Sequence, residues 1–391
     1  LTLSEFFVSA AGGTIHGDVV IDGKSEQIQI ASLDSTADLH GLYSQLDPEG
    51  SAKLGTLEFL DTPRVIIKGT IPLAQPADSS LEIDYSQWKG FQILVGDKTI
   101  PVSKVSGLLT IEGRKLSTKE MQINVFGGDT FIPSGSISFE GDGFLIDGMF
   151  EVDRMPLAEV ARFYGIDDRL MRGDLTMNFR GSRGKEISSL QGSGSLQIEN
   201  ARLNGFPVIG PVQMYSGTII PAFSRQNRST LLGSFIIEAG ILISSDINVG
   251  SDETLVVAGA QINLADGTNA IQAKSYVEGE LAERSGLIDK GIGVVGKGHF
   301  SDPEMELKEL PVELKEEAMR TSLGMTPASL EVVTAFFEKF EAETEVEAQE
   351  SAPEETDAAA ADDAGDSPEA AAPAPAANRP SLDSPIFSDP D

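Results

Sequence analysis

The 391-residue chain contains no cysteine, which excludes disulfides, thiolate zinc sites, iron–sulfur clusters and cysteine nucleophiles together. Only three histidines are present, His16, His40 and His299. Because they are far apart in the sequence, a histidine-based metal site or catalytic triad is disfavoured. Basic residues are also scarce, with 29 Lys and Arg against 61 Asp and Glu and a net charge of −32. Because phosphate binding needs clustered Lys and Arg, this balance argues against a nucleic-acid surface.

Long hydrophobic runs are missing as well. No apolar stretch approaches the roughly 20 residues that a membrane helix needs. The chain starts at Leu1 rather than at methionine. We therefore expect an N-terminal segment, either a signal peptide or a membrane anchor, to lie outside this sequence.

The last part of the chain differs in composition from the rest. From Glu341 to Asp391 there are 15 acids and one base, Arg379, in a segment built mainly from Ala, Pro, Asp, Glu and Ser. Such a segment buries too little apolar area to offset its ordering entropy, so residues 343–391 are predicted to be a disordered acidic tail. Its only aromatic residue, Phe387, belongs either to a short docking peptide or to an exposed end.

Residues 309–342 are predicted to form C-terminal helices. Pro311 opens the first, which is expected to run to Met319. Thr326 and Pro327 then give an N-cap and first-position signal before apolar residues spaced by three and four. This amphipathic helix either docks on the preceding domain or binds another protein.

Residues 1–308 read as one β domain. Short runs that alternate apolar and polar residues recur, as in Met121-Gln-Ile-Asn-Val and Leu196-Gln-Ile, with turn signals such as Asp22-Gly between them. One short helix is predicted within this domain, over 156–164, with Pro156 at its start and Gly165 at its end. The pattern is typical of a long antiparallel meander, and a sandwich, a closed barrel or a curved sheet would each hide its apolar face.

Internal repeats support one hairpin design used many times. Gly-Leu-Leu-Thr-Ile-Glu at 107–112 resembles Gly-Ser-Leu-Gln-Ile-Glu at 194–199, and we name these segments repeat I and repeat II. Paired glycines follow two strands, as Gly12-Gly13 and Gly127-Gly128. They are predicted to be structural hairpin glycines, at positions that need a positive φ or a close backbone approach. A phosphate-binding loop is disfavoured, because no glycine-rich motif leads from a strand into a helix.

Ordered motifs between Gly148 and Pro303 resemble the C-terminal region of AsmA-like proteins, the AsmA, TamB and YhdP superfamily of bacterial envelope proteins. The similarity rests on Gly-Met-Phe-Glu-Val-Asp at 148–153, the following short helix, and Gly-Asp-Leu-Thr-Met-Asn-Phe-Arg-Gly at 173–181. It continues through the Gly-Ser-Gly-Ser-Leu-Gln-Ile run from Gly192 and through Gly-His-Phe-Ser-Asp-Pro from Gly298. The match is best over 110–305, looser over 1–110, and does not include the tail.

The resemblance implies an elongated, twisted antiparallel β-sheet that is mainly β and curved into a groove with an aliphatic inner face. It also implies a periplasmic protein of a diderm bacterium, anchored to the inner membrane by an N-terminal helix missing from this chain. Such proteins are thought to conduct phospholipids between two membranes in support of outer-membrane biogenesis. The expected partner is phospholipid, with envelope proteins as partners of the C-terminal helix or tail, and no cofactor or catalytic residue is expected.

The alternating strands nominate seven residues as the lining of the lipid groove. The spacing of two within each strand predicts a shared apolar face, and it leaves open whether those side chains meet lipid or protein. The candidates are Met121, Ile123, Val125, Leu196, Ile198, Phe235 and Ile237.

Two alternatives to lipid binding remain. A structural or adhesive envelope protein with a self-packed core and no ligand suits the repeats and the acidity equally; calcium-dependent repeats are disfavoured, because Asp266, Asp289 and Asp302 stand alone. An enzyme is the weaker alternative. His299 is the only histidine close to a serine and an aspartate, and no nucleophile elbow accompanies it.

Overall fold

The period-two runs form β-strands that join into one sheet. A computed structural model describes residues 1–10, 12–38, 57–95, 98–140, 143–206, 208–224, 228–300, 302–315 and 323–350. Within them, nineteen strands make a single sheet in which every ladder is antiparallel. The prediction of a mainly β, antiparallel architecture is confirmed.

The strands are numbered in chain order. They are β1 Thr2–Ala10, β2 Gly13–Asp22, β3 Gln27–Ser35, β4 Leu57–Phe59, β5 Arg64–Pro72, β6 Ser80–Gln87, β7 Phe91–Val95, β8 Lys98–Glu112, β9 Lys115–Val125, β10 Gly128–Glu140, β11 Gly143–Pro156, β12 Arg172–Arg183, β13 Gln191–Arg202, β14 Ser229–Glu238, β15 Ile241–Gly250, β16 Thr254–Asn263, β17 Thr268–Val277, β18 Gly291–His299 and β19 Asp302–Glu309. The α-helices are α1 Leu157–Tyr164, α2 Ile209–Ile219, α3 Gly279–Ser285 and α4 Pro327–Glu350.

The sheet is an extended meander. Apart from β4 and β7, each strand pairs with the next one along the chain. The long strand β8 carries both β6 and β7 on one edge and β9 on the other, and β4 continues the side branch from β7. Among the described pairings β1 joins only β2 and β19 only β18, so the sheet is open.

Tight hairpins explain the paired glycines. Between β9 and β10, Phe126 and Gly127 both have positive φ, 51° and 82°, as a two-residue type I′ turn requires. The next glycine, Gly128, has a different reason, since a Cβ there would lie 2.5 Å from the Cβ of Met155. The first hairpin repeats this division, with Gly12 at φ 75° and Gly13 packed against the backbone of Thr36.

The helix predicted over 156–164 is present as α1, and Gly165 ends it in the left-handed conformation at φ 74°. Helices α2 and α3 were not predicted. The reason for α2 is that most of its surface is buried, so no polar stripe marks a helical period. Gly210, Pro211 and Gly217 within it also argue for a loop when the sequence is read alone.

The chain divides into two units, 1–325 and 326–391. The first extends past the predicted domain boundary at 308, because Glu313, in the short 3₁₀ helix Val312–Lys315, pairs with Lys290 of the sheet unit. In the second unit, Ser329 donates its backbone N–H to the Thr326 hydroxyl at 3.2 Å, which confirms the predicted N-cap. Helix α4 runs to Glu350, past the predicted limit at 342, and residues 316–322 and the tail from 351 lie outside the described residues.

Candidate functional site

One face of the sheet is apolar across most of its strands. Residues that pair directly in antiparallel ladders point to the same side, so the register identifies rows of side chains that cross the strands. One row runs from β3 to β9 through Leu33, Ile67, Ile83, Leu109 and Thr118. It continues to β16 through Gly135, Gly148, Gly181, Gly192, Ile237, Leu242 and Ile262. We call this side the apolar face.

One end of the apolar face is covered. Helix α1 packs on β12, and α2 packs on β17, β18 and β19. The hydroxyls of Ser216 on α2 and Ser275 on β17 hydrogen-bond at 2.9 Å, both buried. At this end Ile198 has no exposed surface. Its cross-strand partner Leu231, and Val249 that pairs with Leu231 on the next strand, are each 2% exposed. This region is an ordinary core made by the sheet and its helices.

The other end of the face is open between β8 and β12. It contains an apolar cavity of about 450 Å³, within the usual range of ligand pockets of about 300–1,000 Å³. The side chains around it are mostly half-buried, and Ile146 is 41% exposed. Its apolar lining includes Leu109, Leu116, Met121, Ile132, Ile137, Ile146, Phe150 and Phe179. Beyond it, Phe139 and Phe144 form an exposed pair at the β10–β11 hairpin.

Glycine and phenylalanine together shape one end of this cavity. Gly135, Gly148, Gly181 and Gly192 are directly paired on four successive strands, so no side chain rises between the rows on either side. The ring of Phe179 lies over the last two, because a Cβ on Gly181 or on Gly192 would meet its Cζ at 2.5 and 2.7 Å. Rings that cover cross-strand glycines stabilise sheets where glycine would weaken them.

Phe179 belongs to a short aromatic ladder on the apolar face. Its ring centroid lies 5.2 Å from that of Phe150 and 6.1 Å from that of Phe235, the second pair being nearly parallel. Such contacts contribute about 0.5–1.5 kcal/mol per pair beyond area burial. The ladder separates the open cavity from the buried part of the face.

All seven predicted lining residues lie on the apolar face. Ile123 and Leu196 belong to one row, because both connect through Thr130, Val152 and Met177. Their surroundings differ, since Ile198 is wholly buried and Ile237 is 7% exposed, whereas the other five are half-buried. Ile198 is therefore a core residue, and the structure does not place it in the lining of an open groove as the sequence predicted. Of the seven, only Met121 lines the 450 Å³ cavity.

Sequence reasoning missed most of the cavity lining. Leu109 lies in repeat I and Phe150 in the Gly-Met-Phe-Glu-Val strand, so both had the alternating signal that identified the other candidates. The signal marks a face, whereas the register decides which positions surround one cavity.

A polar cluster adjoins the apolar face on β6. The Tyr85 hydroxyl donates to Oε1 of Gln87 at 2.5 Å, and the Gln87 amide donates to the carbonyls of Asp61 and Gly90 at 2.6 and 2.8 Å. Burial, and secondarily the charge of Asp61, raises the pKa of Tyr85 to about 12. The cluster satisfies polar groups at an edge of the face where water is partly excluded.

Two of the residues weighed for other chemistry, Asp266 and His299, have local partners. Asp266 accepts hydrogen bonds from the hydroxyl and N–H of Thr268 at 2.7 and 2.9 Å, which hold its pKa below the usual value and fix the β16–β17 turn. The His299 ring stacks on Phe300 at 4.7 Å, and Ser301 lies outside the described residues. Among the described residues, no group of three or more His, Asp or Glu is placed to hold a metal ion.

No family model, curated protein or solved structure matches this chain. The resemblance to AsmA-like proteins therefore stays a prediction. In the part of the chain that the structure describes, none of the helices has the length and apolarity needed to cross a membrane.

Proposed function

We propose that this chain binds the acyl chains of phospholipids along the open part of its apolar face, as a non-enzymatic protein of the envelope of a diderm bacterium. The observation that carries the proposal is the apolar cavity between β8 and β12, on a face that α1 and α2 cover only at its other end. Inter-membrane lipid transport or outer-membrane biogenesis is the process that such binding would serve.

The physical argument is one of exposed surface. Burying one methylene is worth about 0.8 kcal/mol, so an acyl chain of some 15 methylenes in water costs on the order of 12 kcal/mol. The half-buried side chains of the cavity also expose apolar surface to water, which is unfavourable. Soluble proteins rarely leave large contiguous apolar patches uncovered. An acyl chain in the groove would remove both surfaces from water at once, while its headgroup stayed in solvent.

The structural alternative, a self-packed sheet without ligand, describes the covered region well. Ile198, Leu231 and Val249 need no lipid, because protein already surrounds them. The alternative does not account for exposed Ile146, Phe139 and Phe144 at the open end of the same face. The lipid-binding and self-packed hypotheses therefore make different predictions for the open end of the face.

The test uses two neighbouring residues of β11. Ile146 lines the cavity and is 41% exposed, whereas Leu145 is 45% exposed on the opposite face. The full chain is secreted into a bacterial periplasm, purified without detergent, and extracted with organic solvent for mass spectrometry. We expect stoichiometric phospholipid with the wild type and with Leu145→Asp, and little with Ile146→Asp, because a carboxylate beside the acyl chain would be desolvated.

Circular dichroism establishes that all three proteins are folded. A folded wild type that carries no lipid would overturn the proposal and favour the self-packed alternative. Equal loss of lipid from both variants would show that the cavity is not the binding site.

A further inference from the structure

A second groove lies on the opposite, polar face of the sheet. It crosses the strands from β8 to β15 and encloses about 990 Å³. Its floor is backbone, supplied where Ile123, Thr130, Val152, Met177 and Leu196 turn their side chains to the apolar face. The groove therefore runs across the sheet on the side opposite the apolar cavity, and the two share strands β8 to β12.

Two rows of side chains form its walls, and the register aligns them. The first wall pairs strand by strand as Gln122, Phe131, Glu151, Asn178, Ser195 and Ser234. The second wall has two parts. In the first part Asp129 pairs with Asp153. In the second part successive strands pair in the order Thr176, Gln197, Leu232 and Asn248. Most of these side chains are exposed to solvent, so their polar groups face the groove.

Hydrogen bonds along the walls hold several of these groups in place. Asn178 donates its side-chain amide to the Ser195 hydroxyl at 2.8 Å and accepts the Ser195 N–H at 3.2 Å. Ser234 donates its hydroxyl to Asp246 at 2.6 Å and its N–H to the same carboxylate at 2.9 Å. Each partner can form further hydrogen bonds, so these wall groups are held in place and can still bind a ligand.

The charge of the groove selects against anions. Its lining has four carboxylates, on Asp129, Glu151, Asp153 and Asp246, and one cation, on Lys104. Partial burial tends to raise the pKa of Asp246, but hydrogen bonds from Ser234 and Ser244 outweigh it and lower the pKa, so this carboxylate is an acceptor at neutral pH. An anionic ligand would meet like charges along the groove.

The polar groups that line the groove suit a ligand that is rich in hydroxyl groups. A hydroxyl both donates and accepts, which matches amides that do both and carboxylates that accept. Gln122, Asn178, Gln197 and Asn248 provide the amides, and Phe131 provides an apolar ring against which the face of a sugar can pack. An extended peptide fits less well, because the floor belongs to strands paired on both sides and has no free edge to extend.

We propose that this polar groove is a binding site for an extended, neutral oligosaccharide, lying across the strands between the two walls. The strands are spaced by about 4.8 Å, close to the repeat of a linear chain of pyranose rings, so successive rings can meet equivalent positions on successive strands. The site is separate from the proposed lipid groove and does not depend on it.

The test measures binding of soluble hexamers to the full chain by isothermal titration calorimetry. The probes are β-1,4-linked glucose and N-acetylglucosamine hexamers, with a galacturonate hexamer and a lysine hexapeptide as charged comparisons. Asn178→Leu keeps the size of the side chain and removes its hydrogen bonds, and Phe131→Ala removes the ring. Glu82→Leu is the matched control, because Glu82 is exposed on the polar side of β6, outside the groove.

We expect a neutral hexamer to bind the wild type and Glu82→Leu with equal affinity. Its affinity for Asn178→Leu and for Phe131→Ala should be lower by about tenfold, a change of about 1.4 kcal/mol. Ile146→Asp, on the other face, should bind as the wild type does. Failure of every neutral hexamer to bind the folded wild type would overturn the proposal. So would binding of the uronate or the lysine peptide alone, or unchanged affinity in both groove variants.

Discussion

Repeats I and II place the same residues in different surroundings. In each, the leucine and isoleucine of Gly-x-Leu-x-Ile-Glu point to the apolar face, as Leu109 and Ile111 on β8 and as Leu196 and Ile198 on β13. Ile111 is half-buried, whereas Ile198 has no exposed surface. The strands run in opposite directions, so the same motif points toward the open end on β8 and toward the helix-covered end on β13.

The motif therefore specifies a face, while strand direction and the helices specify burial. The glycines of the two repeats reinforce this, because each lies beside an aromatic ring on the apolar face. Gly107 pairs with Tyr85, and Gly194 pairs with both Phe179 and Phe235. The local design is shared, and the energetic roles of the repeats are expected to diverge.

A charge at Ile198 should destabilise the protein more than any other change proposed for the two repeats. Ile198→Asp places a carboxylate where no water reaches, a change that costs several kcal/mol without a partner, so we expect loss of cooperative folding. Ile111→Asp, at the equivalent position of repeat I, should stay folded because its side chain can reach solvent. Thermal unfolding followed by circular dichroism compares the two, and a well-folded Ile198→Asp variant would contradict the division into covered and open regions.

A smaller effect comes from the direct cross-strand partners of the two isoleucines. Leu231 pairs with Ile198 and is 2% exposed, whereas Leu81 pairs with Ile111 and is half-buried. Leu231→Ala should lower the free energy of unfolding by about 2–5 kcal/mol through lost burial and a residual cavity. Leu81→Ala should cost less than half as much. Urea unfolding measures both, and equal losses would mean that the open region is packed as tightly as the covered one.

The smallest effect concerns pH. Because the pKa of Tyr85 is raised to about 12 from about 10, the unfolded chain ionises this tyrosine first. Its contribution to stability is therefore complete below pH 10 and is lost as pH rises from 10 to about 12. Absorbance of phenolate at 295 nm should show a late-titrating component that is absent from Tyr85→Phe. Titration of Tyr85 near pH 10 would contradict its burial.

Much of the sheet could be predicted from sequence because alternation is a local signal. The faces of Met121, Leu196 and Phe235, the turn at Gly127 and the helix before Gly165 all follow from neighbouring residues. Burial is different in kind. Leu196 and Ile198 share a strand and a face, and only the placement of distant helices separates a half-buried side chain from a wholly buried one.

The polar groove could not be predicted for a related reason. Gln122, Asn178 and Ser195 each look like one more solvent-exposed position on an alternating strand. Their alignment arises from the register between β9 and β13, which depends on turn lengths and on the bulges in the β10–β11, β11–β12 and β12–β13 ladders. A single-residue shift in any of these ladders would separate the two walls.

The meander also has a consequence for how such a protein can change in length. From β8 to β19 each ladder joins strands that are consecutive in the chain, so no connection passes over another strand. Duplicating or deleting one hairpin would alter the span of both faces by about 10 Å and leave all other ladders in register. The architecture is modular in units of two strands.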